Sequence, residues 1–206
     1  MPYVIRWPRK RVIALVATGF ALLVAPHPAA ASVTPTGCSI PVSSPVFAAL
    51  GDNSLYFAVP GGTFEGDMTG WSLTGASVAA GNEPLQVDGS TDSHSLAISP
   101  GGSAVSPTVC VSSNTPTWRF FAHAADATGK LRLAVQLTNN NGHVVNFPIG
   151  SLTGANYTAW AATPALLLGK TLPPGLNIPL RFVFSADANG SAWSLDDVYV
   201  DPYARG

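Results

Sequence analysis

The 206-residue chain carries ten lysines and arginines against eleven acids, for a net charge of −1. Only 10% of its residues are charged and 47% are hydrophobic, with no Lys/Arg cluster after the first eleven positions. That balance argues against a nucleic-acid surface or a polybasic membrane face, and leaves hydroxyl and amide groups to carry solubility.

The first element in chain order is a leader. Arg6, Arg9, Lys10 and Arg11 precede an apolar run over 12–25, and Ala29-Ala30-Ala31 supplies the small residues of a cleavage site. The run is too short to span a bilayer and is flanked as a secretory signal peptide, so residues 1–31 are expected to be removed and the protein to act outside the cell. Cleavage takes four of the ten basic residues and none of the eleven acids, leaving six against eleven and a net charge of −5. About 175 residues remain, enough for one domain with a real core and no further segment apolar enough to insert in a membrane.

Residues 32–52 read as an irregular Pro- and Ser-rich lead-in, anchored at Cys38. With Cys110 it makes an even pair in an exported chain, which points to a disulfide, two free thiols being the alternative. Closing a loop of about 73 residues stabilises a fold by roughly 4 kcal/mol in the chain-entropy model.

From 53 to 206 the helical period is nearly absent, and short apolar alternations are separated by Gly, Pro, Asn and Asp. Strands are expected at 54–59, 71–79, 94–98, 104–111 and 117–123. The cleanest is Lys130–Thr138, with Leu131, Leu133, Val135 and Leu137 on one face. Asn139-Asn140-Asn141-Gly142 turns it into a return strand at 143–147. A strand at 163–168 follows, the Pro-rich stretch 172–175 is a loop, and Ile178, Leu180, Phe182 and Phe184 share a face of the next strand. Asp187-Ala188-Asn189-Gly190 turns into a last strand from Trp193 to Val200. About ten short strands with such turns predict an all-β, two-sheet antiparallel sandwich as a single domain.

Two motifs near the ends of this domain add to that reading. Gly62-Thr63-Phe64-Glu65 with Gly70-Trp71, and Trp193-Ser194-Leu195-Asp196-Asp197-Val198, resemble the opening and closing motifs of jelly-roll carbohydrate-binding modules of the galactose-binding-like kind. His94-Ser95-Leu96-Ala97-Ile98 and the aromatic strand 117–123 fit between them. The chain departs from the pattern in Pro60-Gly61, where an Asn is usual, and in the cysteine pair and lead-in. As a whole it resembles small secreted proteins of actinobacterial type. The resemblance implies a jelly-roll β-sandwich whose first and last strands pair, a structural Ca2+ held by Glu65 and Asp196 or Asp197, and a polysaccharide as partner.

Sugar binding requires flat aromatic faces with amides or carboxylates at the rim. Trp71 and Trp118 sit in apolar strands and read as core. Tyr157 and Trp160, in a polar loop-like stretch, are the preferred stacking pair, with Trp193 and Tyr199 as further candidates. Alternation places Trp193, Leu195, Asp197 and Tyr199 on one face of the last strand and Ser194, Asp196, Val198 and Val200 on the other. If Val198 and Val200 are core, Trp193 and Tyr199 decorate the surface; if the faces are swapped, they pack inside and an ion uses Asp197.

No Gly-x-Ser-x-Gly elbow, His-Glu-x-x-His or phosphate loop occurs. The chain has two glutamates, Glu65 and Glu83, and no strand with the paired carboxylates of a glycosidase. The expected function is therefore non-catalytic binding of a cell-wall or environmental polysaccharide. The alternatives are an envelope structural or protein-interaction domain without sugar binding, and a hydrolase or lyase with its site assembled from distant loops.

Overall fold

Among the described residues, alternating side chains become eleven strands. The computed structural model describes residues 38, 40–87, 89, 91–112, 117–139, 141–168 and 177–201, so the expected leader and the loop at 172–175 lie outside the described residues. The strands are β1 (Phe57–Ala58), β2 (Ser72–Ala80), β3 (His94–Val105), β4 (Val109–Ser112), β5 (Thr117–Ala124), β6 (Lys130–Thr138), β7 (Val144–Thr153), β8 (Ala161–Ala162), β9 (Leu166–Leu167), β10 (Asn177–Ala186) and β11 (Trp193–Asp201). Among the described residues, helix is limited to two 3-10 turns, Ala48–Leu50 and Gly154–Asn156.

The expected pair of separate sheets is instead one curled antiparallel sheet, in the order β7-β6-β10-β3-β11-β5-β8. The β2–β3 ribbon is the reason. Its far half, Ser103 to Val105 of β3, pairs with β10, while Leu96 to Ile98 pairs with β11. Between these halves β3 passes through Ser99-Pro100-Gly101-Gly102, and β2 answers with a register shift between Thr74 and Ala76 at Gly75 (φ 58°). A Cβ on Gly102 would lie 2.5 Å from the Gly75 carbonyl oxygen, so this crossing requires glycine. The segment 104–111, expected as one strand, is divided between β3 and β4 around Pro107, which has no N–H to give a ladder. The expected strand at 163–168 is also split, into β8 before Thr163 and β9 inside the segment, both pairing with β5.

The two halves of the sheet pack face to face. Trp118 of β5 stacks on Phe182 of β10 with ring centroids 4.4 Å apart, and Phe120 meets Phe184 edge-on at 5.3 Å. Leu131, Leu133 and Val135 of β6 complete that core as their alternation predicts. Trp118 is fully buried, and Trp71 packs against the same core while its indole N–H donates to the Pro60 carbonyl at 2.9 Å.

The opening and closing strands are neighbours. Phe57 pairs with Val200 and Ala58 with Tyr199; beyond β1, Val59 N–H donates to Val198 O and Val198 N–H to Gly62 O. The lead-in is fastened to this sheet rather than trailing from it. Cys38 and Cys110 form a disulfide. Ser44 bridges to Tyr56, and Phe47 sits buried among Tyr56, Phe121 and Tyr199. Asp52 pairs with Arg119 at 2.9 Å, and the guanidinium lies 4.8 Å over the Phe47 ring.

If the Gly102 crossing sets the curl, Gly102→Ala lowers unfolding free energy by about 1–3 kcal/mol, the usual cost of overpacking. Gly66→Ala, where an added Cβ meets nothing within 4 Å, serves as the neutral control in urea denaturation.

Candidate functional site

The last strand does not keep one alternation. Its pairing with β5 shifts register between Asp196 and Tyr199, and Asp197 takes a left-handed φ of 53°. The extra residue of this bulge flips the faces. Trp193 and Leu195 before it, and Val198 and Val200 after it, all point into the main core, while Tyr199 joins the smaller cluster around Phe47. Neither simple assignment of faces holds, because a period of two cannot register an inserted residue.

The bulge carries acids into a buried place. Glu83, Asp92 and Asp197 each offer a carboxylate oxygen within 4.8 Å of the others, and all three are buried. Asp196 lies alongside, its Oδ2 accepting the Glu83 N–H at 3.1 Å and its Oδ1 the Asp197 N–H at 2.9 Å. Burial pushes Asp196 up to about 8, with repulsion from Asp92 and Glu83 adding to it. Burial also raises Asp92 to about 6, against a 3.2 Å hydrogen bond from Asn82 Nδ2. Glu83 accepts the N–H groups of Leu85 and Val87, which fixes the turn that follows it.

Glu65 is positioned differently from the expectation. Its carboxylate accepts the Ser93 N–H at 2.7 Å, the His94 N–H, and the Ser93 hydroxyl, and lies 3.1 Å from His94 Nδ1. Burial pushes Glu65 up, but these hydrogen bonds outweigh it and hold the group down at about 2. It therefore ties the opening turn to the start of β3 and stands beside the three clustered acids, close enough to Asp92 to push that carboxyl up. The turn itself is tight, with Phe64 at φ 57° and its buried ring 5.3 Å from Trp71. Of the three carboxylates expected around an ion, Asp197 is in the cluster, Asp196 flanks it and Glu65 adjoins it through Asp92. Glu83 and Asp92 take the remaining places. They sit in a Gly-, Asn- and Pro-rich loop that resembles neither end motif, and only the scarcity of glutamate singled out Glu83.

Three of the four aromatic candidates are enclosed. Trp193 is 1% exposed, Tyr199 4% and Tyr157 7%. Trp193 and Tyr157 pack together at 5.9 Å, and Tyr199 meets Phe47 edge-on at 5.6 Å. Tyr157 closes a 3-10 turn and gives its carbonyl to Ala124 N–H, so its ring is held inward despite the polar sequence around it. These rings have no free face for a sugar. Trp160 alone of the four stays partly in water, its ring 5.6 Å from that of His123.

An open trough of about 360 Å³ crosses the outer face of β6, β7 and β10. Its floor is Ala134, Pro148 and Val183, and its rim includes Arg132, Asn146 and Ser151. Arg132 is held by Asp187 through contacts of 2.6 and 3.3 Å, and Gln136 Nε2 donates to Asn146 Oδ1 at 3.2 Å. β6 and β7 slip register between Leu133 and Ala134, and the slip lies within the trough, beside Gly150.

No protein-family model matches this sequence, and no curated protein matches it either. Among solved structures, the xylan-binding domain of carbohydrate-binding module family 22 is similar at 15% identity, over 75% of this chain and 99% of that one, with a TM-score of 0.47. The family 22 xylan-binding domain of a Paenibacillus barcinonensis xylanase is similar at 13% identity over 74% and 95%, TM-score 0.46. A Clostridium thermocellum xylanase chain, holding a family 22 module and a catalytic module with xylohexaose, is similar at 15% identity over 70% of this chain, TM-score 0.49. This chain spans 28% of that xylanase chain and 20% of a similar bacteriophage tailspike.

The acid cluster sets a pH dependence. Asp92 and Asp196 have folded pKa values above their ordinary value of 3.8, so they favour the fold fully below that value and withdraw support as pH rises through about 6 and about 8. In chelator, the melting temperature is expected to fall steadily from pH 4.5 to pH 8.5, and Asp196→Asn to flatten the upper half of that slope. A flat wild-type profile, read by circular dichroism, counts against buried ionisation here.

Proposed function

We propose that this chain is a secreted, non-catalytic glycan-binding module that holds a polysaccharide across the trough on β6, β7 and β10. The observation that carries the reading is the trough itself: open, floored by small apolar side chains and rimmed by amide, hydroxyl and guanidinium donors. Such a surface suits a chain of hydroxylated rings, whose apolar faces cover the floor while their hydroxyls meet the rim. With no aromatic residue in the trough floor or rim named above, affinity is expected to be moderate. Asp187 neutralises Arg132, which favours a neutral glycan over a uronate.

A structural Ca2+ belongs to the same proposal, with Glu83, Asp92 and Asp197 as the residues that would hold it. The donor set fits: three buried carboxylates supply hard oxygens, and Asp92 Oδ1 is buried with no hydrogen-bond donor directed at it among the described residues. A bound divalent ion would supply the charge that offsets burial of several acids, which otherwise costs several kcal/mol per ionised group. The protein's part is to hold Glu83 against β11 through its N–H on Asp196 and present these oxygens together.

Two measurements test the reading. In affinity electrophoresis against soluble xylan, galactan and mixed-linkage glucan, at least one glycan retards the wild type, and Asn146→Ala with Arg132→Ala weakens the retardation by tenfold or more. No retardation by any glycan, alongside capture of an envelope protein, favours the protein-interaction alternative; turnover of a glycan lost in one Asp→Asn variant favours an enzyme. For the ion, saturating Ca2+ at about 100 times its Kd stabilises by roughly 2.7 kcal/mol. That corresponds to about 5–11 °C in melting temperature for a domain of this size. Chelator removes the gain, and Glu83→Gln abolishes the response; a melting temperature blind to both removes calcium from the proposal.

A further inference from the structure

The sheet half formed by β5, β11 and the near part of β3 has an outer face of its own. Part of it is roofed, with Phe47 of the lead-in on Phe121 and Tyr199, and Glu83 on Asp196. The remainder is open. Register aligns one transverse row across it: Ser77 of β2 opposite Ala97 of β3, Ala97 opposite Ser194 of β11, and Ser194 opposite His123 of β5. Trp160 extends the row, since Ala122 pairs with Ala161 and the Trp160 ring lies 5.6 Å from His123, inclined at 32°. All five residues keep part of their surface in water. Four strand spacings of about 4.8 Å make the row roughly 19 Å long.

We propose that this row is a second glycan-binding surface, on the sheet half opposite the trough; the class of its ligand rests on the glycan-binding reading above. The indole and imidazole form an apolar wall, the Ser77 and Ser194 hydroxyls donate and accept, and Ala97 keeps the floor flat between them. The row contains no carboxylate, lysine or arginine, so it complements a neutral polysaccharide rather than a uronate or a phosphorylated glycan. Trp160 also packs against the Phe47 cluster, which fixes the ring without an ordering cost on binding. Two surfaces on opposite halves of one sandwich let a single molecule bridge two polysaccharide chains.

One titration separates this inference from the reading beneath it. The secreted chain, labelled with 15N, is titrated with xylohexaose, cellohexaose and β-1,4-galactotriose, with trigalacturonate as the charged control. The Trp160 indole N–H reports the row and the Asn146 side-chain amide reports the trough. Saturable shifts at both reporters with a neutral oligosaccharide are expected, with a stoichiometry of two. His123→Ala and Trp160→Ala should each weaken the Trp160-side event at least tenfold and leave the Asn146 shifts intact. The His123 variant keeps the test valid if loss of the indole disturbs packing. Shifts at Asn146 alone overturn the second surface and leave the trough standing. Shifts at Trp160 alone uphold the row and move the glycan-binding function to it. Shifts at neither reporter with any of these oligosaccharides overturn both.

Discussion

The left-handed step at Asp197 is the constraint around which the molecule is arranged. Without it, a strand of this sequence would bury either Trp193 and Leu195 or Val198 and Val200, and expose the other pair. The inserted residue lets β11 bury both pairs, so the strand contributes to the core along its whole length between β5 on one side and β3 and β1 on the other. Aspartate tolerates positive φ better than a branched residue would, because its short polar side chain is not forced against the backbone. The same step directs its carboxylate toward Glu83 and Asp92, so core packing and the acid cluster share one backbone feature.

Much of the architecture was legible in the sequence where period and burial agree. Lys130–Thr138 was readable because one face is wholly apolar and the other polar but for Ala134, and its turn was readable from residues that accept positive φ. Gly142, at φ 76°, closes that turn by donating to the Asn139 carbonyl. The pairing of first and last strands was readable from the motifs at the two ends. The single curl was not, because Pro100-Gly101-Gly102 reads as a turn between strands, whereas here it is a bend within one strand that two neighbours share. Thr163 reads as part of a strand but instead caps its neighbour: its N–H donates to Phe120 O and its Oγ1 accepts from Phe120 N–H.

The candidate site was less legible, for two physical reasons. Composition identifies aromatic residues but not which side of a bulged strand they occupy, so the sequence leaves Trp193 and Tyr199 open between surface and core, and both pack. Polar neighbours likewise suggested exposure for Tyr157, yet a 3-10 turn folds its ring back onto Trp193. The acids posed the opposite difficulty. Glu65 was conspicuous through its motif and is engaged by Ser93 and His94, whereas Glu83 and Asp92 are assembled by a loop whose path no local pattern encodes.

The bridge between Cys38 and Cys110 has a mechanical consequence. It encloses β1, β2 and β3 in a covalent ring, and β4, which carries Cys110, pairs directly with β10. Tension applied ahead of Cys38 would pass through the bridge to Cys110 on β4, so β1, β2 and β3 lie outside the loaded path while the bond holds. Phe47 and the opening strands, inside the ring, are thereby spared that load.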